Sequence, residues 1–253
     1  MERIQRAYRA LHEQVFVPIF TREEFDSKVL LEGCLRAGLA CVEYTLRRPD
    51  AHTMIPWIRR AHPDLFLLAG STLDDEGIVR KARRKFPQLL TVRELDAMDV
   101  DGYVSMLGWS FDSIRTYSPR RIIAPLAMTV TEAFQQVGAG AHFAKISGEN
   151  LNLVRTCRRD ASFDFCPIFV TGGMNLSAIP EAIEAGAVLV GAGFDLMLKG
   201  KPAGIRAEEI AEILREYVRV AREARNRKWP ALADAAGKPW NEWLNSLPHH
   251  HPF

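Results

Sequence analysis

Eight short apolar runs, each followed by a polar or periodic stretch, alternate along most of this 253-residue chain. The runs cover 15–20, 40–45, 65–70, 102–106, 122–125, 142–146, 166–171 and 188–191, and their length and apolar content read as buried strands. Between and after them, 22–37, 49–61, 75–86, 111–117, 129–137, 151–159, 176–185 and 208–225 read as helices. A parallel neighbour can be reached only through a crossover, so strand then helix repeated eight times predicts an α/β fold closed as a (β/α)8 TIM barrel. A doubly wound open sheet of the same units is the alternative. Glycines at 38, 138–140 and 186 fit helix C-caps. One domain, 1–226, would hold the barrel and a short preceding helix. The Trp- and Pro-rich extension 227–253 is too short for a core of its own and would dock on the barrel or on a neighbouring subunit.

Charge excludes one class of partner. The 33 basic residues nearly cancel the 31 acidic ones, leaving a net charge of +2 and no polyelectrolyte signature, so nucleic acid is not expected as a partner. The basic clusters at 80–85 and 219–228 fall at helical spacing and read as solvated helix faces. Cys34, Cys41, Cys157 and Cys166 lack C-x-x-C spacing and read as reduced core residues, with neither zinc nor disulfides implied. His249, His250 and His251 read as solvated residues near a terminus. No run approaches the ~18 apolar residues of a membrane span and Met1 to Arg6 is amphipathic, so a cytoplasmic protein without a membrane partner is expected.

Two runs carry a lone charged residue each. Lys145 interrupts the apolar run 141–146, and Glu43 interrupts 39–46. Burial lowers a lysine pKa and raises a glutamate pKa, which prepares a nucleophilic amine beside a proton shuttle. A buried structural ion pair is the competing reading, and spacing alone does not separate the two.

The ends of the runs tip the balance, because a parallel barrel does its chemistry at the carboxyl ends of its strands. The two-residue side-chain period sets Glu43, Thr45 and Arg47 on one face at rising height, an acid below a guanidinium suited to a carboxylate or phosphate. Strand three closes in Ser71 and Thr72, and strand six directs Phe143, Lys145 and Ser147 the same way. Strand seven closes in Thr171, Gly172 and Gly173, and strand eight in Gly191 to Gly193. Glycine turns after strands seven and eight are a moderately specific phosphate signal.

The run 42–47 (Val-Glu-Tyr-Thr-Leu-Arg), the turn 69–72 (Ala-Gly-Ser-Thr), the strand lysine Lys145 and the turn 171–173 (Thr-Gly-Gly) resemble, in order and spacing, the class I 2-keto-3-deoxy-6-phosphogluconate (KDPG) and 4-hydroxy-2-oxoglutarate aldolases. The resemblance covers roughly 15–200. It implies a barrel, commonly a homotrimer, that acts in carbohydrate metabolism through a lysine Schiff base with pyruvate and needs neither metal nor other cofactor. It implies Lys145 as the imine-forming lysine, Glu43 as the general acid/base, and Arg47 and Thr72 as holders of the 2-keto acid carboxylate. Thr45, Ser147 and Thr171 fall in with the substrate-binding positions. Gly172, Gly173, Gly191 and Gly193 match the phosphate turns.

Departures from the family pattern are specific. The two bulky apolar residues and proline after the lysine read Ile146, Ser147, Gly148, so Ser147 replaces an aromatic wall. Ser-Pro-Gly after strand four reads Met106, Leu107, Gly108, a phosphate-contacting serine is matched by Gly193, and 80–90 lengthens the third crossover. The substrate is therefore not simply inherited. A phosphate-binding barrel isomerase using Glu43 as a base, and a non-catalytic sugar-acid binder, remain the rival readings.

Overall fold

The computed structural model describes residues 1–22, 24–159 and 165–253. Its strands are β1 (Phe16–Phe20), β2 (Cys41–Thr45), β3 (Phe66–Thr72), β4 (Gly102–Ser105), β5 (Ile122–Ala124), β6 (Ala144–Ser147), β7 (Ile168–Thr171) and β8 (Leu189–Gly193). All pair in parallel, in the order 5-4-3-2-1-8-7-6. The β5 to β6 seam is joined by Lys145 N donating to Pro125 O at 2.9 Å and Ala127 N donating to Lys145 O at 2.8 Å. The sheet therefore closes as the (β/α)8 barrel, and the open doubly wound alternative is excluded.

Closure explains why these strands carry unbroken apolar runs. With helices outside and packed side chains inside, β1, β2, β4, β5 and β7 are buried at every residue. Glycines at the expected C-caps take left-handed geometry, with φ of 74° at Gly38, 112° at Gly140 and 127° at Gly186. Residue 23, in the stretch expected as helix from 22, lies outside the described residues; the helix there is Ser27–Arg36, capped by Asp26, whose carboxylate accepts from the amides of Lys28 and Val29.

Two expectations change. The third crossover holds two short helices, Glu76–Ala82 and Val92–Ala97, where one over 75–86 was expected. A capping box starts the second: Thr91 Oγ1 accepts from Glu94 N while the Glu94 carboxylate accepts from Thr91 N. The C-terminal histidines are not uniformly solvated either. His249 is buried, its Nε2 3.0 Å from Nε2 of His12, and His250 stacks on Phe165.

One end of the barrel is plugged. Val17, Cys41, Leu68, Ile122, Phe169 and Leu189 fill its floor, beneath which pack Ile4, Tyr8 and Leu11 of the helix Arg3–Gln14 and Ala235, Trp243 and Leu244 of the extension. The tail thus docks on the barrel's amino-terminal end. The helix leading to it, Ala207–Lys228, runs unbroken across position 226. A buried charge cluster supports the same end: Asp101 accepts from Arg3 Nε at 2.5 Å, Arg59 Nη1 at 3.2 Å and Leu67 N at 2.8 Å. Access to the interior is left to the carboxyl end.

Candidate active site

Alternation along β2 separates its side chains. Val42 and Tyr44 join the layer beneath the helices, Cys41 joins the floor, and Glu43 points into the interior above it. The carboxylate fits because Gly70 on β3, the register partner of Thr45, has no side chain: a Cβ there would collide with Glu43 Oε1. Glu43 is 4% exposed and its Oε2 has no hydrogen-bond partner among the described residues. Burial pushes its pKa up to about 6, against the opposing pull of Lys145 and Arg47.

Lys145 reaches the same space from β6. It is also 4% exposed, and its Nζ donates to Ser105 O at 3.0 Å and lies 3.1 Å from Met106 Sδ. Burial lowers its pKa, Glu43 opposes that shift and Arg47 adds to it. Among the described residues no direct Glu43–Lys145 ion pair forms. The amine is turned to a neutral carbonyl and a thioether, neither of which requires it to be charged.

Arg47 and Arg48 are divided by their surroundings. Arg48 is buried and binds the β1 and β2 loops together, donating to Arg22 O, to Phe25 O at 3.2 Å, to Ser27 Oγ at 2.6 Å and to Asp50 Oδ1 at 3.1 Å. Arg47 is exposed at the mouth and makes no hydrogen bond or ion pair among the described residues. An unpaired guanidinium above a buried acid and amine is suited to an incoming carboxylate.

These groups line a cavity of about 210 Å³, with Thr21, Ser71, Ser147, Thr171, Gly172, Gly173, Gly193 and Asp195 as polar wall and Ile19, Met106, Leu126 and Leu196 as apolar wall. That volume is below the ~300–1,000 Å³ of pockets for drug-sized ligands and suits a small acid. A roomier groove of about 600 Å³ lies between Val29, Trp57 and Ile205 outside the barrel and touches neither Lys145 nor Glu43.

Three expected residues stand outside the lining. Thr45 is buried and donates to Phe20 O at 2.7 Å, and Thr72 is buried and donates to Val104 O at 3.1 Å. The cause at β3 is a bulge: the register shifts between Gly70 and Thr72, Ser71 takes φ 60°, and Ser71 faces the cavity in place of Thr72. Gly191 is a packing glycine, since a Cβ there would meet Ile19 Cδ1 and Phe169 Cε2 at 3.1 Å. Ser147 lines the cavity, where its Oγ also accepts from Glu149 N at 3.4 Å.

Two residues that sequence reasoning passed over belong to the site. Thr21 follows β1 directly and Asp195 lies just past β8, beyond Phe194, so the same strand-end argument that singled out Arg47 would have found them. Thr21 Oγ1 donates to Asp195 Oδ1 at 2.5 Å, and the Asp195 carboxylate lies against Gly193, where a Cβ would strike it.

No protein-family model matches the chain, and no curated protein matches it. Solved structures do. The native KDPGal structure aligns with a TM-score of 0.64 at 25% identity, covering 83% of this chain and 95% of that one. The 2-keto-3-deoxy-6-phosphogluconate aldolase of Zymomonas mobilis gives 0.63 at 19% identity over 86% and 97%. The KDPG aldolase of Legionella pneumophila, with pyruvate captured at low pH as a covalent carbinolamine, gives 0.58 at 16% over 88% and 98%. In fold, the chain is similar to the KDPG aldolases.

Proposed function

We propose that this KDPG-aldolase-like barrel is a class I aldolase that cleaves or forms a 2-keto-3-deoxy acid through a Schiff base on Lys145. The observation that carries the reading is the meeting, in one small cavity, of a buried amine held without an ion pair and a buried acid poised near neutral pH. An amine must be uncharged to attack a carbonyl, and an acid with a pKa near the working pH can both give and take a proton.

The steps follow from those two groups. Neutral Lys145 Nζ adds to the C2 carbonyl, with the carboxylate of the keto acid paired to Arg47. Protonated Glu43 supplies the proton with which the carbinolamine hydroxyl leaves as water, giving an iminium ion. The Glu43 carboxylate takes the proton of the C4 hydroxyl as the C3–C4 bond breaks, and the bonding pair moves into the iminium to form the enamine of pyruvate. An aldehyde departs. Glu43 returns its proton to C3, and water releases pyruvate and restores the amine. Met106, Leu126 and Ile19 keep the wall near the imine apolar, which favours the neutral amine.

Incubation with pyruvate, borohydride reduction and intact mass measurement test the reading. One pyruvyl adduct that disappears in Lys145→Ala is expected. An absent adduct overturns it in favour of non-covalent isomerisation or simple binding, and one that survives the substitution overturns the assignment of the imine to Lys145.

A further inference from the structure

The helix start after β7 and the space beside Gly193 after β8, two places where a phosphate would be received, are occupied by the protein's own acceptors. After β7, the helix Ala178–Ala185 has its first amides covered: Asn175 Oδ1 accepts from Ser177 N at 3.0 Å, Ala178 N at 2.9 Å and Ser177 Oγ at 2.7 Å. After β8, the space beside Gly193 is filled by the Asp195 carboxylate. The helix there, Phe194–Met197, is a single turn and offers little dipole.

Charge in the cavity points the same way. Its lining holds two carboxyl groups, Glu43 and Asp195, and two basic groups, Arg47 and Lys145. Under the aldolase reading Lys145 is neutral and Arg47 is engaged by the keto acid carboxylate, which leaves no lining cation for a second anion. Arg22 stands nearby but outside the lining, with its Nε 3.9 Å from Asp195 Oδ2 and its Nη1 3.6 Å from Glu24 Oε1. It is already shared between two carboxylates.

A phosphate dianion only accepts hydrogen bonds, and it would meet the Asp195 carboxylate at short range. A hydroxyl donates as well as accepts. Asp195 Oδ1 is satisfied by Thr21, while the Oδ2 side retains lone pairs for a donor. The hydroxyls of Ser147 and Thr171 and the open Gly172–Gly173 turn share the cavity with it. We propose that the substrate is an unphosphorylated 2-keto-3-deoxy sugar acid, with Asp195 the specificity-determining residue that accepts a hydrogen bond from its distal hydroxyl and rejects the phosphorylated analogue. This rests on the aldolase reading of the same cavity.

The test compares 2-keto-3-deoxygluconate with its 6-phosphate on the wild type and Asp195→Ser, reading pyruvate release. The wild type is expected to favour the unphosphorylated acid by about 100-fold in kcat/KM, because a like-charge contact costs several kcal/mol. Asp195→Ser, which replaces the carboxylate by a shorter, uncharged hydroxyl, is expected to narrow that ratio by about tenfold or more, losing rate on the free acid and gaining it on the phosphate. A wild type that prefers the phosphate, or a ratio unmoved by the substitution, overturns the proposal. Calorimetric binding of the same two acids needs no turnover and must show the same preference, tighter for the free acid. Equal or reversed affinities also overturn the proposal. Borohydride trapping with pyruvate, which has no distal end, reports on the aldolase reading alone and separates its failure from this one.

Discussion

Glu43 and Gly70 share one space inside the barrel: the carboxylate lies where any side chain on Gly70 would have to go. The proposed general acid/base is therefore aimed by a residue on the neighbouring strand that lies outside the cavity lining. Gly70→Ala is expected to swing the carboxylate away, lowering the rate of pyruvate proton exchange by about 100-fold. Overpacking of this kind destabilises by about 1–3 kcal/mol, so the fold survives and thermal melting shows a modest drop. Unchanged exchange kinetics would mean that Glu43 is not the proton carrier.

The raised pKa of Glu43 makes a signed prediction about stability. Its folded value, about 6, lies above the ordinary 4.5, so the folded carboxyl keeps a proton that the unfolded one releases. The favourable contribution is complete below pH ~4.5 and is lost as pH rises to about 6. Above that window the buried charge costs about 2 kcal/mol, from ~1.4 kcal/mol per pH unit of difference. Glu43→Gln is expected to be the more stable protein at pH 8 and to lose that advantage near pH 4. Urea unfolding at the two pH values measures it, and a variant less stable than wild type at pH 8 would contradict the assignment.

Adjacent arginines should fail in different ways. Arg47 has no partner among the described residues, so Arg47→Met is expected to raise KM for the keto acid by about 10–100-fold, the worth of a charge-assisted bond, with the melting temperature nearly unchanged. Arg48 is buried and ties Phe25, Ser27 and Asp50 together. Arg48→Met strands those acceptors and is expected to cost about 3–5 kcal/mol of stability. Steady-state kinetics and melting curves on both variants resolve the two effects.

Much of this was legible in the chain before any coordinates, and the losses have identifiable causes. Short unbroken apolar runs and helical crossovers give the eight strands their places, and a charge inside an apolar run is conspicuous enough to single out Lys145 and Glu43. Period two fails at Thr72, because Ser71 takes a left-handed backbone and inserts an extra residue; nothing in Gly-Ser-Thr marks that event. Asp195 was missed because attention fell on the glycines beside it, whose missing side chains read as room for a ligand when the room is taken by the carboxylate. His249 was misread because its burial depends on His12, 237 residues away in sequence. Thr91 and Glu94, by contrast, are a capping box visible in the sequence, and the break in the third crossover was there to be read.

The C-terminal extension gives the last prediction. Trp243 is 2% exposed beneath the barrel floor, with its ring centroid 6.2 Å from that of Tyr8 and 5.3 Å from that of Trp240, and the Arg9 guanidinium 5.5 Å from it. An aromatic so enclosed contributes through cavity and transfer effects together, so Trp243→Ala is expected to destabilise the protein by about 3–5 kcal/mol. The proposed catalytic groups, Glu43 and Lys145, sit at the opposite end of the strands, on β2 and β6. Pyruvate trapping on Lys145, measured well below the lowered melting temperature, should therefore persist. Were the tail instead to serve a neighbouring subunit, the substitution would change the oligomer seen by light scattering while leaving the melting of dilute protein almost unmoved. Parallel scattering and melting measurements at two protein concentrations distinguish a floor plug, whose loss lowers the melting temperature at both, from a subunit contact, whose loss matters only where subunits associate.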